Sequence, residues 1–396
     1  MSQALLEGRW DETKEALMEG LKGSRRNTMS VILENTRKYL KENATSGSTV
    51  SGNIATLNRV ILPVIRRVMP TVIANELVGV QPMTGPVGQI HTLRVRYANS
   101  MTDNSAAATS VTAGEEALSP FKIAQAYSAG VGGTQSNYTG ASTATLEGAG
   151  GRQISVQILK QAVEAKTRKL QARWTFESAQ DAQAMHGIDV EAEIMAALAQ
   201  EITAEIDQEI LLSLRSLATT EFTYNQATVS GTATFVGDEH AALAVLINRV
   251  ANLIAQRTRR GAGNWAVVSP AALTVLQSAT TSAFARTTEG TFEAPTNTKF
   301  VGTLNGAMRV FVDSYANDST PVLVGYKGSS EADAAAFYCP YIPLMSSGVV
   351  LDPTTFEPVV SFMTRYGYIE LTNTASSFGN AGDYVGEIAI QNLSFS

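Results

Sequence analysis

The sequence predicts an α+β chain, and three observations carry that prediction. Apolar residues recur every four positions across 189–218, the pattern of one long helix. Strand-like alternation on both sides of a small-residue stretch at 98–151 predicts a long two-strand arm. In the remainder, short β-rich runs alternate with turn signals and two further helical patterns.

Within residues 1–43, Leu5, Leu6, Ala16, Leu17 and Leu21, then Ile32, Leu33 and Tyr39, recur at helical spacing amid many charges. That segment is expected to be a solvated helical arm, in preference to one with a separate job such as docking or later removal. "ATSGSTVSGN" at 44–53 reads as a flexible linker. Residues 54–82 read as helix interrupted by Pro63 and Pro70. "GVQPMTGPVG" at 79–88 has no Gly-Lys pair, so it is no phosphate loop. Its glycines and prolines are expected to set a sharp, rigid exit of the backbone into the strand beyond it.

In "QIHTLRVRYA", Ile90, Leu93, Val95 and Tyr97 are the apolar members of an alternating strand. Nearly two-thirds of 98–151 is Gly, Ala, Ser or Thr, too little apolar surface for a compact core of its own. The return limb, "ISVQILKQAVEAKTRKLQARW", alternates again and, with the two residues before it, carries Arg152, Lys160, Lys166, Arg168, Lys169 and Arg173. Isolated hairpins are marginal in water, so an arm this long implies a surface to lie on, such as another subunit.

In "DVEAEIMAALAQEITAEIDQEILLSLRSLA", Val190, Ile194, Leu198, Ile202, Ile206, Ile210 and Leu214 form a slowly winding stripe on a helix about 45 Å long. Gly187 can end a preceding helix and Asp189 can cap this one. Its many carboxylates face a single cation, Arg215, so its polar side is strongly negative and opposite in sign to the return limb. "HAALAVLINRVANLIAQRTRRG" is an amphipathic helix, and "NWAVVSPAALTVLQSA" is a strand followed by a helix opening at Pro270. "GAMRVFVDSY", "TPVLVGYKG", "AAAFYCPYIPL" and "PVVSFMTRYGYIELTN" read as strands.

Composition narrows function. The net charge of −6 argues against a chain whose own field recruits nucleic acid. The only cysteine, Cys339, permits no intrachain disulfide and suits a reducing compartment. No run approaches the ~18–20 apolar residues of a membrane span, and the first twenty residues do not read as a secretory signal. A cytoplasmic product that needs no cofactor is the expectation.

No catalytic set stands out. His91, His186 and His240 lack zinc-ligand spacing, and no Gly-x-Ser-x-Gly elbow occurs. His186 near Asp189 and Glu191 reads as a helix-end residue before a metal ligand. Glu201, Glu205 and Glu209 share one helix face, which suits an acid–base pair but equally a salt-bridged surface. "RTRRG" at 257–261 reads as a dipole-matched helix end before a phosphate contact, and Lys327 as a turn residue. Cys339 reads as a packed small hydrophobe.

Several stretches resemble the major capsid protein of T-even-like tailed bacteriophages: "LVGVQPMTGPVGQIHTLRVRY" (77–97), "VEAKTRKLQARWTFESAQDAQAMHGIDVEAEI" (163–194), "FVGTLNGAMRVFVDSY" (300–315), "VLVGYKGSSEADAAAFYCPYIPL" (322–344) and "DPTTFEPVVSFMTRYG" (352–367). They span roughly 58–396 in matching order. The resemblance implies the Hong Kong ninety-seven phage capsid fold. An N-terminal arm and linker would occupy 1–57, the first part of a peripheral domain 58–88, and an extended loop 89–173 with its small-residue excursion at 98–151. A spine helix at 174–218, an axial domain at 219–350 and a return to the peripheral domain at 351–396 would complete the chain.

It also implies self-assembly into homohexamers of an icosahedral head. That head would enclose DNA without sequence-specific binding, and would be built in the host cytoplasm with vertex, portal, scaffold and decoration proteins. Each long loop would lie over a neighbour, so Lys166, Arg168, Lys169 and Arg173 are expected to pair with Glu201, Glu205 and Asp207 of an adjacent copy. Relatives are often trimmed after Leu or Ile, any residue, then Glu, a pattern met at Glu7, Glu19 and Glu34. Two alternatives stand beside this one. The first is the pentameric vertex paralogue of the same fold. The second is a soluble α/β hydrolase, which predicts a small oligomer and a pocket of convergent polar groups.

Overall fold

The computed structural model describes scattered residues before 26, then 26–35, 73–103, 110–117, 127–129, 134–135, 142–147, 151–186, 189–227, 236–258, 260–279, 284–286, 299–330, 333–355, 357–371 and 380–393. The chain forms two compact units. One gathers Met1–Gly88, Val163–Ser213 and Phe337–Ile369; the other gathers Gln89–Ala162, Leu214–Ala336 and Glu370–Ser396.

The first unit is built on a five-stranded sheet. Its central strand, Ala336–Ser346, is buried almost throughout and so reads as a continuous apolar run. Gly79–Val80 pairs with it in parallel, then Gln81 and Met83 donate their N–H groups to the Tyr338 and Pro340 carbonyls. The donor that Pro340 lacks would face this same segment, where the two-residue strand has already ended. Pro358–Glu370 is the next strand, and Lys166–Arg173 runs antiparallel to it from Val359↔Arg173 to Tyr366↔Lys166.

The long helix Val190–Leu217 contributes its 190–213 part to this unit. Asp189 caps it, its Oδ1 accepting from the Glu191 N–H at 3.1 Å. Leu198, Ile202, Ile206, Ile210 and Leu214 are buried, as the four-residue repeat predicts. The span 174–218 holds two helices, as the signals at Gly187 and Asp189 predict. Helix Phe176–His186 precedes the long helix and buries no residue.

The second unit holds a seven-stranded mixed sheet, in the order Thr219–Asn225, Val385–Gln391, Val322–Gly325, Trp265–Val268, Met308–Val312, Lys299–Leu304 and Phe284–Arg286. Trp265–Val268 and Met308–Val312 are parallel, and helix Pro270–Ser278 lies between them in sequence. Ser269 caps that helix by accepting from Ala272 N–H at 3.2 Å, with Pro270 in its first turn. The antiparallel pair Lys299–Leu304 and Met308–Val312 closes through Asn305 (φ 53°) and Gly306 (φ 70°). Two consecutive left-handed residues make the primed turn that matches strand twist, which is why Asn-Gly stands there. Helices Val236–Thr258 and Pro270–Ser278 pack on the sheet through Leu243, Ile247, Val250, Ile254, Val275 and Leu276.

Four expectations need correction. First, 1–43 is not simply a solvated arm: residues 26–35 are helical, and Met29, Ile32 and Leu33 are buried. Asn35 Nδ2 donates to the Met83 and Tyr341 carbonyls at 2.8 and 3.1 Å, which ties this helix to the first unit. Second, the return limb is not one strand. Ile154–Glu164 pairs with Val87–Tyr97, whereas Lys166–Arg173 joins the five-stranded sheet. Ala165 lies between them and donates to the Pro86 carbonyl at 2.9 Å.

Third, the excursion carries a small apolar cluster: Met101, Val111, Ala117 and Tyr127 gather on Tyr97. Tyr127 packs on Tyr97 with its ring tilted by 53° and the centroids 4.5 Å apart, and donates its hydroxyl to the Gln153 carbonyl at 2.6 Å. Arg94 is buried there and paired with Glu116 at 2.8 Å. Fourth, two strands change sides: Ala336–Ser346 belongs to the five-stranded sheet, and Val385–Gln391 inserts into the seven-stranded one. Within 54–82, residues 54–72 lie outside the described part, and helix survives only as Ala74–Leu77.

In the loop at 79–88, close approach limits Gly88; neither Gly85 nor Gly88 has a positive φ. A Cβ on Gly88 would lie 3.1 Å from both Met83 Sδ and Val163 Cγ1. Gly367 faces the same spot, where a Cβ would lie 2.5 Å from Val163 Cγ2.

Candidate interaction surfaces

Arg168 sits on strand Lys166–Arg173 opposite Thr364, within reach of the long helix. Its Nη1 donates to Glu205 Oε2 at 2.7 Å, its Nη2 to Glu209 Oε2 at 2.6 Å, and its Nε to the Tyr366 hydroxyl at 2.6 Å. The Tyr366 hydroxyl in turn donates to Glu209. All three guanidinium nitrogens are thus engaged by one helix face and one strand, a fork geometry that lysine cannot reproduce.

Burial pulls the Arg168 guanidinium down, but its bonds to Glu209 and Tyr366 outweigh this and hold it above its ordinary value. Burial likewise opposes ionisation of Glu209, yet Arg168 and Tyr366 bonding to the carboxylate holds it below the usual range. Burial, then the Glu209 carboxylate, pushes the Tyr366 phenol up, so it stays a donor.

The residues expected to reach a neighbouring copy therefore divide. Arg168 and Glu205 meet within one chain. Asp207 is 1 % exposed, and its Oδ1 accepts from the Ile73 N–H at 2.8 Å. Arg173 lies 3.7 Å from Glu357 but stays largely exposed. Lys166, Lys169 and Glu201 are exposed. Tyr366 was absent from the sequence reasoning, because it joins this cluster only through sheet pairing across the chain.

The acid–base reading of the helix face gives way to this ion-pair cluster at Glu205 and Glu209. Arg257 pairs with Glu221, and Arg260 with Asp333 at 2.8 Å, so these cations of the 257–261 run are matched by carboxylates. The Lys327 N–H donates to Asn264 Oδ1 at 3.0 Å in a turn. His186 ends its helix exposed, while His240 is buried with its Nδ1 2.5 Å from Ser278 Oγ. Cys339 is buried, which pushes its thiol up to about 11 and leaves it protonated. Glu34 lies in helix 26–35 and accepts from Trp10 Nε1 and Lys14 Nζ, each at 3.4 Å. Glu7 and Glu19 lie outside the described residues.

The same unit holds a groove formed by Trp174, helix Phe176–His186, the start of the long helix, Val349 and Pro358. Comparison with known proteins identifies the family of the chain. The profile of the Gp23 major capsid proteins matches residues 54–390. The chain belongs to that family. It is a structural protein of the tailed-phage head, as its family membership establishes. The major capsid protein of Vibrio phage KVP40 is 30 % identical, over 86 % of this chain and 82 % of that one. That of Enterobacteria phage T4 is 28 % identical, over 83 % and 78 % respectively. Among solved structures, the capsid of Myoviridae phage XM1 aligns over 79 % of this chain and 89 % of its own, with a TM-score of 0.42 and 10 % identity.

Proposed function

We propose that copies of this chain close into hexamers that tile an icosahedral head around a DNA genome. Vertex, portal, scaffold and decoration proteins complete the particle, which is assembled in the cytoplasm of the host. The chain acts by packing and has no chemical step to perform. Its membership of the capsid family carries this reading. The overall charge of −6 supports it, because a strongly basic wall would hold a genome that has to leave.

Contacts between copies draw on the charges left at the surface. Lys166, Lys169 and Arg173 of one copy meet Glu201 of the next, with Glu205 shared between Arg168 and a neighbour. Trimming after Glu7, Glu19 or Glu34 belongs to the same reading, and a cut at Glu34 requires a buried helical turn to open first. The intact mass of chains taken from virions tests it, since each cut leaves a distinct mass. Copy number per particle separates a hexamer former from the pentameric vertex paralogue: most of the shell protein for the first, a small minority for the second.

A further inference from the structure

We propose that helix 26–35 is a strap on the root of the arm formed by Val87–Tyr97 and Ile154–Glu164. Docked, it keeps that root closed; withdrawn, it lets the root open. The inference concerns a single chain and stands apart from the assembly reading above. The strap and the residues of the root it acts on lie in the first unit.

The helix is short, and one face carries its hold. Thr28, Met29, Ile32, Leu33 and Asn35 are buried, at the spacing of one helical face, while Arg26 and Asn27 are exposed. Ten residues are fewer than the ~12–15 a helix needs to persist alone in water, so this one depends on its docking. Asn35 is the polar part of that docking. Its Nδ2 has two hydrogens and both are used, one on the Met83 carbonyl at 2.8 Å and one on the Tyr341 carbonyl at 3.1 Å. One amide thus ties the helix to the loop at 79–88 and to the central strand of the five-stranded sheet.

Met83 carries the hold onward. Its N–H donates to the Pro340 carbonyl at 3.0 Å, so its backbone is pinned on both sides. Its side chain reaches the root. Met83 Sδ lies 3.1 Å from the place of a Cβ on Gly88, and Met83 Cε lies 3.3 Å from that of a Cβ on Gly367. Val163, buried at the end of the second limb, fills the rest of both spaces, its Cγ1 and Cγ2 lying 3.1 and 2.5 Å from those two places. Two residues on, the Ala165 N–H donates to the Pro86 carbonyl at 2.9 Å. Both limbs and strand Pro358–Glu370 therefore meet on one methionine whose carbonyl the strap holds. In an interior packed this closely a side chain does not shift alone. Losing the Asn35 bonds leaves both carbonyls without that donor and frees the Met83 backbone on one side. Helix and root then form one opening unit, through which an event at the N-terminal side of the chain reaches the arm.

The test places a thiol in the root. Full-length Val163→Cys is alkylated with and without Asn35→Ala, and the native Cys339, buried in the central strand, reports on the sheet. The strap predicts alkylation of the new thiol roughly fivefold faster or more in the Asn35→Ala background, with Cys339 unreactive in both. The wild-type chain gives a second reading that needs no substitution. Amide exchange of Leu33 and Ala165, followed along a denaturant series, should converge on one opening event short of global unfolding. Equal alkylation in the two backgrounds would overturn the strap. So would Cys339 reacting as fast as the new thiol, because the whole sheet would then have loosened. In the wild-type chain, Ala165 exchanging through an opening separate from that of Leu33 would overturn it as well.

Discussion

Arg168 is where one strand, one helix face and one tyrosine converge, and it sets how strand Lys166–Arg173 sits on the long helix. Arg168→Ala leaves Glu205 and Glu209 side by side without their cation. Because the guanidinium side chain is 31 % exposed, water screens part of that loss, and the expected destabilisation is about 1–2 kcal/mol in chemical denaturation. The pH dependence has a definite sign. Glu209 is held below its ordinary value in the folded chain, so its contribution is fully present above the unfolded carboxylate pKa and is lost as pH falls through the depressed value. Melting temperature should therefore fall as pH drops from about 5 to below 4, and Glu209→Gln should make that fall shallower. An equally steep fall in the variant would mean that other carboxylates carry it. At Gly367 the limit is space: a Cβ would meet Val163 Cγ2 at 2.5 Å and the Glu164 carbonyl at 3.2 Å. Gly367→Ala should cost about 1–3 kcal/mol through overpacking, read from the denaturation midpoint.

At the scale of elements, what was legible is what is local. The four-residue apolar repeat marks the long helix, and Pro270 marks the start of a helix. Alternation located Val87–Tyr97, Ile154–Glu164 and Pro358–Glu370 as strands, but alternation names a face and never a partner. That is why the expected boundary between 219–350 and 351–396 separates Ala336–Ser346 and Val385–Gln391 from their sheet partners, which lie far away in the chain. The helix at 26–35 was misjudged for a related reason, since charges around Ile32 and Leu33 look like a solvated surface until Asn35 is seen bonding two distant carbonyls. Asn35→Ala strands those carbonyls, at a cost of about 1–3 kcal/mol. Amide hydrogen exchange across 26–35 should speed up while protection in the seven-stranded sheet stays unchanged. Unchanged exchange across 26–35 would show that Asn35 does not hold the helix in place.

For the whole molecule, two features point away from a solitary existence. The arm built from Val87–Tyr97 and Ile154–Glu164 exposes apolar side chains on a two-stranded sheet, an element too thin to be stable without support. The unit containing the long helix carries a groove with apolar walls at Trp174, Phe176, Val190, Val349 and Pro358. The family was readable from long stretches in matching order, whereas the Arg168 cluster required the fold, because sequence placed its cation and carboxylates on opposite sides of a subunit boundary. The most direct measurement is the size of the purified assembly by light scattering, followed by negative-stain microscopy of the same sample. Self-assembly as a head protein predicts uniform closed particles or tubes tens of nanometres across. A chain that stays monomeric or dimeric at every concentration, with its scaffold partner supplied, would contradict it.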